Sequence, residues 1–459
     1  MMVSSFLVEA WVNLSISILI ASKLLFFDVV YPMQLLAHLA CVTLAVASIF
    51  GSATLIDFEA IGAVAEDSTY KTALANGNLL NDTINALVPG DVLFISNKTF
   101  SITGGIKAAG LRNITFQIDG TLSFSDDRET WPVKDNGDVE ECILFTDIED
   151  IKFTSSGTGT LNGNGKAWWG AINFLKYQEN RPRLMHIIGS KNVLVEHLLF
   201  KDSPYWTFYA EQCDGMVIRH SDVSARWTDK DEHTLLDLQA FNTDGFDVTG
   251  KNVHIHDCNI WNQDDCIAVK DGSANMLFER ISCSGLGLVI GSIGSSKVQN
   301  ITFRDSVMPR TFKGIYMKTR WNDAGPIGDE ASISDVLYQN ITMDRPQQYP
   351  IWIGPAQQTG QPCDLLWPQA DKAQCKMSGY QTWKNIVLRD IFINNPDNSP
   401  GVLLGNSSNP MQGVIFDNVV VTSPGQKPFG PNYYCDGILG VSTGHTTPQP
   451  SCFQVVDKK

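Results

Sequence analysis

Three aspartates in two similar segments are the side chains best suited to chemistry. Residues 242–248 and 263–269 align on their apolar ends, Val248 and Val269, so that Asp244 and Asp265 occupy the same position 21 residues apart. Asp264 lies beside Asp265. Carboxylates held close together repel one another when ionised, so one of the three should keep its proton near neutral or mildly acidic pH. Inverting hydrolysis of a glycosidic bond requires such an acid beside a carboxylate that holds water. The alternative interpretation is a structural ladder of polar turn residues.

Two further segments continue the same pattern. They end at Ile290 and Met317, and the residues four positions before these ends are Leu286 and Lys313. Four basic residues follow the carboxylates: Arg310, Lys313, Lys318 and Arg320. This cluster is either a solvated edge or a set of contacts to a polyanionic substrate.

A strand-like phrase recurs ten times along the chain. Each copy opens with Asn, Asp or Gly and continues with alternating apolar positions, as short β-strands do. The opening residues are Asn113, Asp150, Asn192, Gly215, Asn252, Asn275, Asn300, Asp335, Asn385 and Gly413. Strand-only units that recur every 23 to 50 residues predict an all-β fold, a parallel β-helix. A β-sandwich is the alternative, but it would need hairpin turns that do not occur regularly between the phrases.

The regions outside the phrases are predicted to cover or decorate this solenoid. A helix over residues 71–87 should cap its amino-terminal end, because an open repeat fold needs a cover there. The interval between 335 and 385 carries the largest insertion, and Cys363 and Cys375 should join within it. The Pro- and Gly-rich tail from Ser423 is expected to form an irregular cap.

Stacking of the coils would place the segments side by side. Adjacent coils of a β-helix lie ~4.8 Å apart, so Asp244 and Asp265 should be neighbours. The residue before each apolar end should face outward, which applies to Asp247, Ala268, Val289, Tyr316, Trp352 and Leu403. Tyr316 and Trp352 would then lie on the carboxylate face, where aromatic rings suit the apolar faces of sugars. Ordinary packing under the 335–385 loop is the alternative.

The composition limits the cellular compartment and the classes of partner that the protein is expected to have. The net charge of −15 over 459 residues argues against nucleic acid or an anionic membrane as partner. Beyond the first 53 residues the chain has nine cysteines and six Asn-X-Ser/Thr sequons, which fits an extracellular glycoprotein. Local disulfides are predicted for Cys266 with Cys283 and for Cys435 with Cys452. No zinc-ligand spacing occurs, and we expect no metal, no cofactor and a monomer.

The first 53 residues are predicted to be a leader rather than part of the domain. They carry only three charged residues, and a cleaner apolar segment that begins at Met33 ends in small residues, as secretory signal peptides do. We expect translation to start at Met33 and residues 54–459 to form one catalytic domain. A membrane anchor near residues 11–30 is the alternative.

These segments closely resemble glycoside hydrolase family 28, the polygalacturonases and their relatives. That family carries Asn-Thr-Asp, Asp-Asp, Gly-His-Gly and Arg-Ile-Lys motifs on a right-handed parallel β-helix. The first two motifs are matched here by residues 242–244 and 263–265, with Asn242 and Gln263 expected to contact substrate. The resemblance implies that Asp264 is the general acid, that Asp244 and Asp265 activate water, and that Lys318 binds a substrate carboxylate. It implies a secreted hydrolase of pectic polysaccharide.

Two positions depart from the family pattern. Gly-His-Gly is replaced by Gly285, Leu286 and Gly287, and Arg-Ile-Lys ends here as Tyr316, Met317 and Lys318. A rhamnogalacturonan hydrolase or an exo-acting enzyme therefore stands beside a polygalacturonase. A pectate lyase using Arg320 as base, and a non-catalytic carbohydrate-binding β-helix, are further alternatives.

Overall fold

The computed structural model describes residues 53–170, 180–228, 230, 232–234, 236–320, 331–358, 363–364, 367–368 and 375–456. The predicted leader lies outside this part of the chain, apart from its last residue. None of the helices found within these ranges is both long and apolar enough to cross a membrane.

Short strands make up nearly all regular structure in the described part of the chain. One α-helix and two short 3₁₀ helices, Gly165–Ala167 and Asp237–Ala240, accompany them. In chain order the elements are β1 Leu55–Asp57, α1 Tyr70–Ala86, β2 Val92–Ile95, β3 Thr99–Ile102, β4 Ile106–Ala109, β5 Arg112–Ile118, β6 Thr121–Phe124, β7 Ile143–Thr154, β8 Gly159–Asn162, β9 Met185–Glu196, β10 Leu198–Lys201, β11 Phe208–Arg219, β12 Asp222–Ser224, β13 Phe246–Trp261, β14 Asp265–Val269, β15 Ala274–Cys283, β16 Gly287–Ile293, β17 Lys297–Pro309, β18 Ile315–Thr319, β19 Ser332–Asp344, β20 Ile351–Pro355, β21 Thr382–Asn394, β22 Gly401–Leu404, β23 Met411–Thr422, β24 Tyr433–Asp436, β25 Ile438–Thr443 and β26 Phe453–Val455.

The strands pair with strands of the next coil, and these pairings are parallel. Long strands form one series, β13 with β15, β15 with β17 and β17 with β19, and short strands form another, β14 with β16, β16 with β18 and β18 with β20. This arrangement is a right-handed parallel β-helix, the hand that connections between parallel strands nearly always take. A sandwich of antiparallel hairpins is thereby excluded.

A single left-handed residue makes one corner of each coil. All ten residues that open the repeated phrases have φ between +52° and +77°, a region that Asn, Asp and Gly enter at the lowest cost. Their side chains also connect successive coils: Asn300 Nδ2 donates to Asn275 Oδ1 at 2.9 Å, and Asn385 Nδ2 to Asp335 Oδ1 at 3.0 Å. The recurring Asn, Asp and Gly therefore fix where the backbone bends.

The interior is filled by side chains that repeat from coil to coil. Val248, Val269, Ile290 and Met317 pair in register and are fully buried. On another side of the core, the rings of Phe278, Phe303 and Tyr338 stack at 4.6 and 4.7 Å between centroids. Because each coil offers the same apolar position to the next, the core is continuous along the solenoid.

The amino-terminal helix is confirmed within one residue at each end. The Thr69 hydroxyl caps α1 by accepting a hydrogen bond from the Thr72 amide. Leu80 and Ile84 are buried against the first coils. The helix thus covers apolar side chains that the end of the solenoid would otherwise expose.

The predicted disulfides and the predicted carboxyl-terminal tail can be compared directly with the structure. The predicted disulfides Cys266–Cys283, Cys363–Cys375 and Cys435–Cys452 are present. The tail is not irregular, because β24, β25 and β26 continue the parallel stacking.

Leu403 does not face outward as predicted. It pairs with the inward-facing Ile353, and Val402 takes the position beside Trp352. The prediction was one residue out of register, because Val402, Leu403 and Leu404 are all apolar and carry no alternation to read.

Replacing the corner residue Asn385 should separate backbone strain from hydrogen bonding. Asn385→Ala should lower the free energy of unfolding by about 1–2 kcal/mol, because it loses the bond to Asp335 and places a Cβ-bearing residue at positive φ. Asn385→Gly should cost less, since Gly adopts positive φ without strain. Urea denaturation of the three proteins provides the measurement. Equal losses for the two variants would show that backbone conformation is not what selects Asn here.

Candidate active site

The residues predicted to face outward, from Asp247 to Trp352, form one column in the predicted order. Asp247, Ala268, Val289, Tyr316 and Trp352 pair one after another across β13, β14, β16, β18 and β20. The alignment on apolar ends therefore gave the correct register for these five coils.

Asp244, Asp264 and Asp265 come together at the start of two adjacent strands. Their carboxylate oxygens lie within 4.8 Å of one another, and the side chains are only 3%, 6% and 1% exposed. Oxygens this close could also ligate a divalent cation. The Lys318 ammonium already lies against these carboxylates, however. Ammonium groups and a proton can therefore balance the negative charge of the cluster without a metal ion.

The turns that hold these carboxylates are joined by a residue that sequence reasoning missed. Asn262 is fully buried, and its Nδ2 donates at 2.8 Å to the carbonyl oxygens of both Thr243 and Asp265. Gly285 of the next coil lies directly against Asn262 and the Asp264 carbonyl, where a Cβ would collide with both. These contacts set the positions of Asp264 and Asp265 through the backbone.

The protons are distributed unevenly among the three acids. Lys318 Nζ donates to Asp265 Oδ2 at 2.8 Å. Asp264, by contrast, has no Lys or Arg nitrogen within 4.0 Å among the described residues, and burial together with the neighbouring Asp265 raises its pKa to about 7. Burial and Asp264 also raise the pKa of Asp244 well above its usual value. Asp264 is the most exposed of the three, so its proton is the one closest to a ligand in the cleft.

A fourth carboxylate and its lysine extend the cluster on the amino-terminal side. Asp247 is completely buried, and Lys270 Nζ lies 3.3 Å from its Oδ1 and 3.8 Å from Asp244 Oδ2. Burial raises the pKa of Asp247 to about 6, although Lys270 acts in the opposite direction. The sequence analysis placed Asp247 on this face but gave neither residue a role.

Tyr316 supports two lysines rather than offering a face to a sugar. Its ring is 2% exposed, with Lys318 Nζ 4.4 Å and Lys313 Nζ 4.7 Å from the ring centroid. Its hydroxyl accepts a hydrogen bond from the Gln357 amide at 3.1 Å. The ring therefore positions cations next to the carboxylates.

The sugar-stacking prediction for Trp352 is wrong. Its side chain is completely buried against Trp367 and Tyr349, and its Nε1 donates to the Pro355 carbonyl at 2.9 Å. The alternative interpretation, packing under the loop that follows β20, describes this residue.

The remaining predicted substrate contacts divide into near and distant ones. Asn242 Nδ2 reaches Asp264 Oδ2 at 3.4 Å, and Gln263 is buried beside it. Arg320 instead forms an ion pair with Asp271 at 3.2 Å, and its side chain is 54% exposed. The structure therefore does not bring Arg320 into the carboxylate cluster.

A histidine that sequence reasoning missed lies next to this cluster. His233 Nδ1 lies 3.1 Å from Gln263 Oε1, and its ring packs on Phe312 at 4.3 Å and on Trp261 at 5.1 Å. Burial lowers its pKa. It belongs to the segment between β12 and β13, which follows no repeat, so spacing gave no signal for it.

Leu286 stays half-buried beside the Asp264 carbonyl.

The raised pKa of Asp264 predicts a pH-dependent stability. The folded protein takes up the Asp264 proton near pH 7, whereas the unfolded chain does so only near the ordinary value of 3.8. Stability should therefore rise as pH falls from about 7.5 to about 4.5. Asp264→Asn should be more stable than the parent by about 1–3 kcal/mol at pH 7.5, with the difference fading towards pH 4.5. Denaturant unfolding at both pH values measures this; a constant difference would contradict the assignment.

Comparisons with known proteins agree with the fold. An exopolygalacturonase of Cochliobolus carbonum is 28% identical over 268 residues, covering 55% of this chain and 58% of that protein. A probable endo-xylogalacturonan hydrolase A of Aspergillus flavus is 29% identical, covering 56% and 60%. The chain thus spans less than two thirds of the length of these relatives. The polygalacturonase structure from Erwinia carotovora superposes with a TM-score of 0.63 at 20% identity, covering 85% of this chain and 96% of that one, which shows a common fold.

The family model for glycosyl hydrolases family 28 matches residues 93–438. This range includes strands β3 to β24 and all four aspartates of the cluster. Well over half of the chain is therefore matched, and the protein belongs to glycosyl hydrolases family 28.

Proposed function

We propose that this protein hydrolyses α-linked galacturonan in pectin, with Asp264 as general acid. The observation that carries the proposal is the unequal charge balance of the cluster. Asp265 is paired with Lys318, while Asp264 has no such cation among the described residues and has a pKa raised to about 7. A carboxylic acid that keeps its proton at mildly acidic pH can donate it to the leaving-group oxygen.

Asp244 and Asp265 are proposed to hold and activate the attacking water. Water between them would be polarised by Asp265, whose other partner is Lys318. Most inverting glycosidases hold their carboxyl groups about 6.5–9.5 Å apart, and the separation here, within 4.8 Å, is shorter. Inversion is therefore proposed on the family resemblance and not on this spacing.

A uronate polymer is the proposed substrate because lysines accompany the acids. Lys313 and Lys318 lie on the Tyr316 ring beside the cluster. Their positive charges locally offset the protein's net charge of −15. Relatives named exopolygalacturonase and polygalacturonase support a galacturonan backbone. A pectate lyase is less well supported, since Arg320, its candidate base, is paired with Asp271.

Exo action is proposed from the loop beyond β20. Cys363 and Cys375 join there, and Trp367 packs on Trp352 at the carboxyl-terminal side of the site. A loop tied by this disulfide would close one end of a substrate cleft and favour release of single sugar residues.

Asp264→Asn tests the assignment of the acid. The variant should lose at least about a thousandfold in kcat on polygalacturonate, because the leaving group no longer receives a proton. Asp126→Asn, an exposed carboxylate outside the site, is the matched control and should keep full activity. Release of reducing ends measures both, and an active Asp264→Asn would show that the acid is misassigned.

The same digestion reports on the finer proposals. Proton NMR of the first product should show the inverted anomer, and monomer should appear without early loss of viscosity if action is exo. Cleavage of rhamnogalacturonan with polygalacturonate left intact would replace the proposed substrate. Unsaturated uronides as products would replace hydrolysis by elimination.

Residues 1–53 are proposed to be a secretory leader, and residues 54–459 a single extracellular, monomeric catalytic domain. The disulfides joining Cys266 to Cys283 and Cys435 to Cys452 fit an oxidising compartment. Amino-terminal sequencing of the protein recovered from culture medium should give a start near residue 54. A start before residue 45 would contradict the leader.

A further inference from the structure

Lys313 is buried in the site without an anionic partner. Its side chain is among the buried charged groups, with the residue 3% exposed. Its Nζ donates to Gln348 Oε1 at 2.7 Å, and no carboxylate oxygen of the described residues lies within 4.0 Å of it. Lys270 and Lys318, in contrast, each pair with an aspartate. An ammonium has three donors, and burying one beside a single neutral acceptor is unfavourable unless an anion completes the site.

Its place in the fold directs this ammonium towards the cleft. Lys313 lies four residues before the apolar end of its coil, as Asp244, Asp265 and Leu286 do in theirs, although a bulge pairs Asp265 with Gly287 and not with Leu286. Its amide donates to the Leu286 carbonyl at 3.2 Å. Lys313 is about as buried as Asp244, and the charges that act on it include those of Lys318, Asp264 and Asp265.

The ammonium groups of Lys313 and Lys318 both lie close to the ring of Tyr316. Lys313 Nζ lies 4.7 Å and Lys318 Nζ 4.4 Å from the centroid of Tyr316. Trp352 adds a second ring 5.9 Å from Lys313 Nζ. The rings attract both cations, but burial and the nearby Lys318 lower the pKa of Lys313 to about 7. Other charged or titratable groups around it are Asp264, Asp265 and Tyr316. A bound anion would offset the repulsion between the lysines and favour the charged amine.

We propose that Lys313, acting with Lys318, binds the carboxylate of a uronic acid residue next to the cleaved bond. This rests on the proposed hydrolysis of a pectic polymer and specifies what the site recognises. Two ammonium groups around one carboxylate supply the donors that a planar anion needs, and a neutral sugar such as rhamnose would leave Lys313 without an anion, while Lys318 would keep Asp265.

A structural role for Lys313 would give a different result. If its function is to hold Gln348, then substitution should affect all substrates alike, through stability or kcat. If it binds uronate, the loss should appear in KM and only for substrates that carry a free carboxylate. Esterification of the substrate separates these outcomes without altering the protein.

The test is the kinetics of Lys313→Met on polygalacturonate and on fully methyl-esterified polygalacturonate. Loss of a charged hydrogen bond should raise KM about tenfold or more on the free acid and change it less than twofold on the ester. Lys297→Met, at an exposed lysine of β17, is the matched control. Unchanged KM on the acid, or equal loss on both polymers, would overturn the proposal. Lys313→Gln, with a polar end, replaces the Met variant if that one fails to fold.

A binding arm separates this proposal from the proposed reaction. Calorimetry on the Asp264→Asn protein, with trigalacturonate as probe, should show binding that weakens at least tenfold when Lys313→Met is added. That result supports uronate recognition even if no polymer is hydrolysed. No weakening by Lys313→Met, or no binding of the trisaccharide by the Asp264→Asn protein, would overturn it, whatever the catalytic outcome.

Discussion

Charge balance in a buried space is the constraint on which this site depends. Four aspartates, Asp244, Asp247, Asp264 and Asp265, meet where none is more than 6% exposed. Each ionised carboxylate there needs a cation or a proton, because water cannot solvate it. Lys318 serves Asp265, and Lys270 serves Asp247 and more distantly Asp244. Asp264 has no such cation among the described residues, and its raised pKa lets it hold the proton that a general acid requires.

The backbone makes this crowding possible by fixing the register of the coils. A left-handed Asn, Asp or Gly turns each coil at the same point, and fully buried apolar columns hold neighbouring coils together. Asn262 then links the turns before β13 and β14 through two carbonyl oxygens. This scaffold holds the carboxylates together, while Lys318 and Lys270 reduce their mutual repulsion.

The features that recur from coil to coil could be predicted from the sequence, whereas site residues outside the repeat could not. The spacing of Asp244 and Asp265 and the ten opening residues predicted the solenoid and the register of the outward column from Asp247 to Trp352. The same counting failed at Leu403. Lys270 and Asn262 went unassigned because a single lysine or asparagine beside a strand has no distinctive pattern. His233 comes from an insertion, and its proximity to Gln263 arises only from tertiary packing. The burial of Trp352 depends on a loop whose path the spacing of phrases could not predict.

The column that runs through Asp244, Asp265, Leu286 and Lys313 has an evolutionary consequence. Its members lie four residues before the inward apolar residue of their coils, with a bulge that pairs Asp265 with Gly287, and they are acidic, acidic, apolar and basic. The main-chain pairing that stacks the coils does not depend on which side chain stands there. Point mutations in this column can therefore exchange the chemistry of a rung while leaving the solenoid intact. Divergence of substrate preference in such a fold needs few mutational steps and no rearrangement of its architecture.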